Sequence, residues 1–462
     1  MTRIKIKAIL NGSYKAETAL RVCGWMKSKR VNKNVAFLIL NDGSSQKDLQ
    51  CVINPESEAY QTIGECTVGA AVQVEGVLKE SLGGGQALEV HVDQLKIVGA
   101  AASDYPLQKK GHTMEFLRDI AHLRGRSNTF GAVFRVRNRL SHLVHQFFQD
   151  KGFIWAHTPI LTASDCEGAG EMFQVTTHDL DKIPKTKDGK IDWSQDFFGK
   201  AANLTVSGQL NAEAMALAFS DVYTFGPTFR AENSNTTRHL SEFWMVEPEI
   251  AFADLQDNAL LAEEFLGYLF RELAESCPDE LDFLAKHFKA RTAAELDELG
   301  NASFARISYT DAIKELASSG KKFEFEPKWG VDLQTEHERY LAEEAFKRPL
   351  IVTDYPKDIK AFYMRLNADG KTVAAMDVLA PGIGEIIGGA QREERYDVLE
   401  SRMSEMNIAA EEIPWYLELR KYGGCPHAGF GLGFERIVMY LTGMTNIRDV
   451  IPFPRVPNSI NF

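Results

Sequence analysis

Over the first hundred residues apolar and polar positions alternate in short runs. ALRVCGWMKSKR, NVAFLILNDGS, DLQCVIN, AAVQVEGVLKES and ALEVHVDQLKIVG each read as a strand, separated by Gly, Asn, Asp and Ser. Five such strands in so short a span predict a small barrel. In VGAAASDYPLQKKGH the alternation stops, and small residues, a proline and a basic pair read as a linker over residues 101–115. TFGAVFRVRNRLSHLVHQFFQDKGF has the spacing of a long helix and runs into IWAHTPIL, a short strand ending at Pro159. Residues 178–200 are polar with a D-G turn and read as a surface insertion. Residues 254–350 are acidic and mostly helical in period. Strand-like runs return at AFYMRLN, TVAAMDVLA and GEIIGGAQREE, and a glycine-rich turn is expected to lead into a closing helix in GFGLGFERIVMYLTGM. Strands on both sides of a helical stretch predict an α+β class, with an antiparallel sheet flanked by helices in residues 116–462 after a barrel in residues 1–100.

Composition adds little to that picture, and charge adds more. Hydrophobic content of 44% and charged content of 25% over 462 residues are those of an ordinary globular chain of two or three domains. No run of apolar residues is long enough to predict a membrane span, and MTRIKIKAIL is not expected to act as a secretory leader. The six cysteines (Cys23, Cys51, Cys66, Cys166, Cys277, Cys425) are scattered without metal-ligand spacing, which predicts reduced thiols and a cytoplasmic location. The net charge of −12 argues against a nucleic-acid partner, but its distribution argues for one. Residues 1–50 carry 10 Lys and Arg against 3 Asp and Glu, whereas residues 251–350 carry 12 against 21. Local basic surface is what attracts phosphate.

Three clusters carry candidate chemistry. In FGPTFRAENSNTTRHLSEFWMVEPE, two alternating runs flank a polar loop, and Arg230, Glu232, Arg238 and His239 fall close together. Positions two apart on a strand share a face, so Arg230 and Glu232 are expected side by side. In MDVLAPGIGEIIGGAQREERYDV, Asp377 and Glu385 could hold Mg²⁺ through oxygen, and Arg392 follows. In AGFGLGFERIVM, glycines permit close backbone approach, and Arg436 stands in the first turn of a helix, which favours anions.

These clusters together bring a resemblance into view. FRAE followed by RHLSEFWMVE resembles motif 2 of the class II aminoacyl-tRNA synthetases, GLGFER resembles their motif 3, and the long helix running to Pro159 resembles motif 1. Their order, and an N-terminal barrel of the OB type, resemble the subgroup that charges aspartate, asparagine and lysine. LTVSGQLNAEA, DFFGK and TGMTNIRDVIPFPR resemble the bacterial asparaginyl members. The resemblance implies ATP as substrate, Mg²⁺, L-asparagine, tRNA(Asn) and a homodimer built on motif 1. It implies that Arg230 bridges the amino-acid carboxylate and the α-phosphate, and that Arg436 binds the γ-phosphate. Glu232 would accept from the adenine amino group, Phe243 would stack on the ring, Arg238 and His239 would contact phosphate or the tRNA end, and Glu385 with Asp377 would hold the metal. Arginine suits these anions because its planar fork stays charged and binds oxyanions in pairs.

For the amino acid, TVSGQLNAEA differs from the aspartyl pattern S-x-Q-L-x-K-Q in having Ala212 and Glu213 at its last two positions. An amide offers one acceptor and one donor group, so Glu213 is expected to accept from its NH₂ and Arg392 to donate to its oxygen. Such polar complementarity discriminates by about 10⁴ or more. The resemblance places Glu167, Ser207 and Gln209 at the α-amino end and His427 close to the substrate. In the barrel, GWMKSKRVNKNVAFLILND resembles the anticodon-binding run, with Phe37 stacking on a base and Arg30 and Gln50 on base edges or phosphate. Three other readings share parts of this framework. An aspartyl enzyme, discriminating or not, is opposed by Ala212 and Glu213. A stand-alone amide-forming relative is opposed by the barrel. A non-catalytic RNA-binding relative is opposed by the presence of Arg230, Arg436 and Glu385.

Overall fold

Strands β1 (Ala19–Asn32), β2 (Val35–Asn41), β3 (Leu49–Ile53), β4 (Ala71–Glu80) and β5 (Leu88–Gly99) close into a barrel in the order β1-β2-β3-β5-β4. The structure is a computed structural model that describes residues 2–81, 83, 86–164, 172–234 and 236–462. Alternation decides which side chains enter the barrel. Along β2, Ala36, Leu38 and Leu40 are buried, while Val35, Phe37 and Ile39 face outward. Leu20, Val22, Cys51, Val74 and Val90 complete this core. The helix Glu58–Glu65 packs against β5 and contributes Ala59 and Ile63 to it.

The chain forms two units, residues 1–135 with Phe462 and residues 136–461. The division falls within the helix Asn128–Asp150. The second unit is built on an eight-stranded sheet. Its strands are β6 (Ile154–Trp155), β10 (Asp221–Phe229), β11 (Glu242–Ala251), β12 (Ala305–Ser308), β13 (Leu350–Pro356), β14 (Thr372–Ala380), β15 (Gly384–Gln391) and β16 (His427–Gly433). The order is β12-β13-β14-β15-β16-β11-β10-β6, antiparallel except for the two outermost pairs. A small sheet of β7 (Leu161–Thr162), β9 (Ala202–Leu204) and β8 (Gln174–Val175) brackets the insertion at 178–200, which is mostly turns around a short 3-10 helix at Trp193–Gln195. The helix Leu255–Ser276 packs on β14, β15 and β16, so part of the acidic segment buttresses the sheet.

Two local expectations are corrected. AFYMRLN is not a strand. It makes only the isolated bridges Met364–Arg392 and Leu366–Val373, because its neighbour in the sheet is instead β13, a strand at the end of the helical stretch. The glycine-rich run HAGFGLG is not a turn but the central strand β16, and the closing helix begins only at Phe434. Among the described residues, no helix is long and apolar enough to cross a membrane.

Candidate active site

The hairpin of β10 and β11 sets the first wall of the site. Along β11, Phe243, Met245, Glu247 and Glu249 occupy alternate positions and so share one face. Beside them in β16, Gly429 and Gly431 replace side chains with space. A Cβ at Gly431 would lie 2.8 Å from Met245 Cε, and one at Gly429 would lie 2.3 Å from the Glu249 carboxyl. In β15, a Cβ at Gly388 would lie 3.3 Å from Glu385 Oε1 and 3.5 Å from Asp377 Oδ1. The glycines therefore form the floor of a trough whose walls carry the charged groups.

At one end Arg230, Glu232, Arg238, His239, Phe243, Glu385 and Arg436 line a single cleft. Strand β10 ends at Phe229, so Arg230 and Glu232 do not stand side by side on it as expected; they begin the connecting loop. The loop takes over because Arg230 N donates to Ser241 O at 3.0 Å and closes the hairpin there. The Arg230 guanidinium lies 5.4 Å from the centre of the Phe243 ring. Arg436, in the first turn of the helix Phe434–Thr442, donates from Nη1 to Glu385 O at 3.2 Å and lies 3.7 Å from Glu385 Oε1. His239 Nε2 lies 4.0 Å from Glu232 Oε2. Arg238 donates to Thr335 Oγ1 at 3.0 Å, and burial, then the neighbouring Arg436, lowers its pKa.

Carboxyl groups gather under this end. Asp377 accepts from Lys360 Nζ at 2.8 Å, and Glu338, which sequence reasoning did not single out, accepts from Glu385 N at 3.1 Å. Burial, and then the charge of Glu385, pushes Glu338 up to about 7. Burial and then Asp377 likewise raise Glu385. Among the described residues, no group of three or more His, Cys, Asp or Glu is placed to hold a metal ion as it stands.

At the other end lies a buried polar network. Ser207 Oγ donates to Glu247 Oε1, and Gly208 N donates to Glu247 Oε2 at 3.0 Å. Arg392 is buried and donates from Nε to Glu249 Oε2 at 3.1 Å and from Nη2 to Glu249 Oε1. Glu213, expected to accept from the amide directly, is held by protein groups in this structure. Glu213 is fully buried, and its oxygens already accept from Gln209 Nε2 at 3.1 Å, Tyr416 Oη at 2.7 and 2.9 Å and Arg420 Nη2 at 2.8 Å. His427 Nε2 lies 3.0 Å away as well, and His427 Nδ1 lies 2.8 Å from Cys425 O. A carboxylate has about four lone-pair positions, so Glu213 has none left for a bound amide. Burial alone would raise its pKa, but Arg420, His427 and Arg392 hold it well below the usual range. Glu249 differs. Burial, and the charge of Glu213, push it up to about 7 although Arg392 opposes the shift. Its position in MVEPE, two and six residues past Glu247 and Phe243, is the signal that could have found it. Glu167 lies outside the described residues.

In the first unit, Arg30 pairs across strands with Phe37, and Phe37 with Val52, on the outward face of the barrel. Gln50 lies opposite Ile39 on that face, and its amide donates to Glu89 Oε2 at 2.9 Å. Phe37 is therefore outside the core and beside a cation.

The family of tRNA synthetases class II (D, K and N) matches residues 113–457, and the OB-fold nucleic acid binding domain matches residues 20–98. The asparagine–tRNA ligase of Synechocystis sp. is 59% identical over 449 residues, 97% of each chain. That of Picosynechococcus sp. is 58% identical over 461 residues, 99% of this chain and all of that one. The asparaginyl-tRNA synthetase of Pyrococcus horikoshii, complexed with asparaginyl-adenylate, superposes with a TM-score of 0.85 at 31% identity, over 100% of this chain and 99% of that one. The Entamoeba histolytica asparaginyl-tRNA synthetase in complex with asparaginyl-adenylate gives 0.83 at 25% identity, over 99% and 98%.

Proposed function

The chain belongs to the class II tRNA synthetases of the aspartate, lysine and asparagine group, and we propose that it is an asparagine–tRNA ligase. It activates L-asparagine with ATP to asparaginyl-adenylate and pyrophosphate, then passes the asparaginyl group to the 3′ end of tRNA(Asn). The observation that carries this reading is the glycine-floored trough, with cations and an aromatic ring at one end and the buried Arg392–Glu249 pair at the other.

Both reactants of the first step are anionic, so the chain must fix cations where charge accumulates and align the two groups. A carboxylate oxygen of asparagine attacks the α-phosphorus, and the bond from that phosphorus to the bridging oxygen of pyrophosphate breaks. Arg230 sits where the carboxylate and α-phosphate meet, and Arg436 holds the departing end. Phe243 stacks on adenine, Glu232 accepts from its amino group, and Arg238 and His239 meet phosphate or the tRNA end. No side chain acts as nucleophile. In the second step a ribose hydroxyl attacks the adenylate carbonyl, and AMP leaves.

The carboxyl groups below this end suit a hard cation, since they offer only oxygen, and burial and then mutual crowding raise the pKa of Glu338 and Glu385. Glu385, with Asp377 and Glu338 beside it, would hold Mg²⁺, whose charge would neutralise the phosphates of ATP.

Discrimination belongs to the other end. Arg392 donates to the amide oxygen and Glu249 accepts from the NH₂, while aspartate would bring a second anion against Glu249. Ser207, Gln209, Glu247 and His427 hold the α-amino end and the pocket wall. The barrel, within residues 1–100, reads the anticodon through Arg30, Phe37 and Gln50. After the linker at 101–115, residues 116–462 carry out the chemistry. A second copy covers the exposed Trp155 and Phe252, 55% and 78% accessible, making a homodimer in the cytoplasm. ATP–pyrophosphate exchange without tRNA tests the reading. Exchange with asparagine and not aspartate is expected, whereas exchange with aspartate alone would overturn the specificity.

A further inference from the structure

Glu213 lies between two guanidinium groups, and only one of them is committed to it. Arg420 Nη2 is 2.8 Å from Glu213 Oε2, while Arg392 Nε is 3.9 Å from Glu213 Oε1 and donates instead to Glu249 Oε2 at 3.1 Å. All four side chains are buried. Arg420 is itself held rigidly. Its Nε donates to Glu393 O at 2.9 Å, its guanidinium lies 4.0 Å over the Tyr416 ring, and its Nη2 donates to Tyr416 Oη at 2.9 Å. It stands on the helix Pro414–Lys421, behind Glu213.

We propose that Arg420 is a positioning residue for side-chain discrimination: with Tyr416 it occupies Glu213, and so leaves the fork of Arg392 to Glu249. The inference rests on the reading that the Arg392–Glu249 pair meets the substrate amide. A buried carboxylate cannot stay without a cation, because an unpaired buried charge is strongly destabilising. Once Arg420 is removed, the groups left beside Glu213 are the His427 imidazole at 3.0 Å and the Arg392 guanidinium at 3.9 Å, and of these only Arg392 carries its charge at every pH. Glu213 then competes with Glu249 for it, and the guanidinium leaves the position from which it donates to the amide oxygen. Glu213 thus acts on specificity from behind the pocket wall.

The test is ATP–pyrophosphate exchange by the full chain, reading KM for asparagine, KM for ATP and the asparagine-to-aspartate preference. Arg420→Met is expected to raise KM for asparagine by about ten- to a hundredfold, the usual range for losing an outer group that orients a ligand-binding one, with KM for ATP nearly unchanged and the preference reduced. Adding Glu213→Gln removes the competing carboxylate, so the double variant recovers most of the asparagine KM. Structural damage alone would make the double variant worse than the single one. An unchanged asparagine KM in Arg420→Met, or no recovery in the double variant, overturns the proposal. Should Arg420→Met fail to fold, Tyr416→Phe removes the hydroxyl that binds Glu213 while keeping the ring. A several-fold rise in asparagine KM is then expected, and an unchanged value overturns the proposal equally. The wild-type chain separates the two claims. Its failure to exchange with asparagine sinks the function, whereas normal exchange with insensitive variants sinks only the role of Arg420.

Discussion

Gly429→Ala perturbs the amino-acid end of the trough by a single methyl group. The added Cβ would stand 2.3 Å from Glu249 Cδ and Oε1 and 2.4 Å from Oε2. Ordinary contact begins near 3.5 Å, so the carboxylate must retreat by about 1 Å. It has nowhere to go at low cost. Both of its oxygens are bound by Arg392, whose guanidinium also lies 5.4 Å from the Tyr363 ring, and Glu249 is fully buried. Overpacking of this kind costs about 1–3 kcal/mol. A misplacement of 1 Å in a positioning group costs about 10²-fold in rate or selectivity. Pyrophosphate exchange should therefore show KM for asparagine raised by roughly 10²-fold with KM for ATP little altered. Thermal melting should fall by a few degrees at most, roughly 1.5 °C for each kcal/mol in a unit spanning residues 136–461. Gly431→Ala is the control, because its Cβ meets only the flexible end of Met245 at 2.8 Å and lies toward the nucleotide. A Gly429→Ala chain with wild-type KM for asparagine would refute the placement of the Arg392–Glu249 pair at the substrate side chain.

Three further outcomes are expected. Arg230→Ala should cut adenylate formation by about 10²–10³-fold, as loss of one oriented donor to a developing anion does; exchange within a few-fold of wild type would remove Arg230 from the chemistry. Glu249 is held near 7, and its ionised form, above that value, is the stronger acceptor for an amide NH₂. KM for asparagine should thus rise as pH falls from about 8 to about 6, and preference over aspartate should narrow because the neutral carboxyl can donate to a second carboxylate. A preference flat across that range counts against Glu249. Phe37→Ala should leave pyrophosphate exchange intact and weaken aminoacylation by about tenfold or more, from the loss of one base stack. Loss of exchange in that variant would contradict the separation of anticodon reading from chemistry.

Much of the architecture was legible along the chain because it depends on local period. Alternation located the five barrel strands and placed Phe37 among them, and helical spacing located Asn128–Asp150. FRAE, GEIIGG and GLGFER singled out Arg230, Glu385 and Arg436, and the structure brings these three into one cleft. The role of HAGFGLG was not legible. Glycines at every second position suggest a turn by composition, and only the neighbouring Met245 and Glu249 side chains show why a strand there must lack Cβ atoms.

The sequence by itself thus determined which residue types were available, the two-part α+β plan and the reaction class, since these follow from short-range pattern and motif order. Tertiary structure alone decided which of two carboxylates is saturated from within the protein. Glu213 and Glu249 are both acidic residues next to a recognisable motif, and nothing local separates them. Apart from Gln209 four residues away, the partners that saturate Glu213 come from Tyr416, Arg420 and His427, 203, 207 and 214 residues away, and the partner that orients Glu249 is Arg392, 143 residues away. Lone-pair occupancy and burial are properties of those long-range contacts, so they come into being only when the sheet assembles.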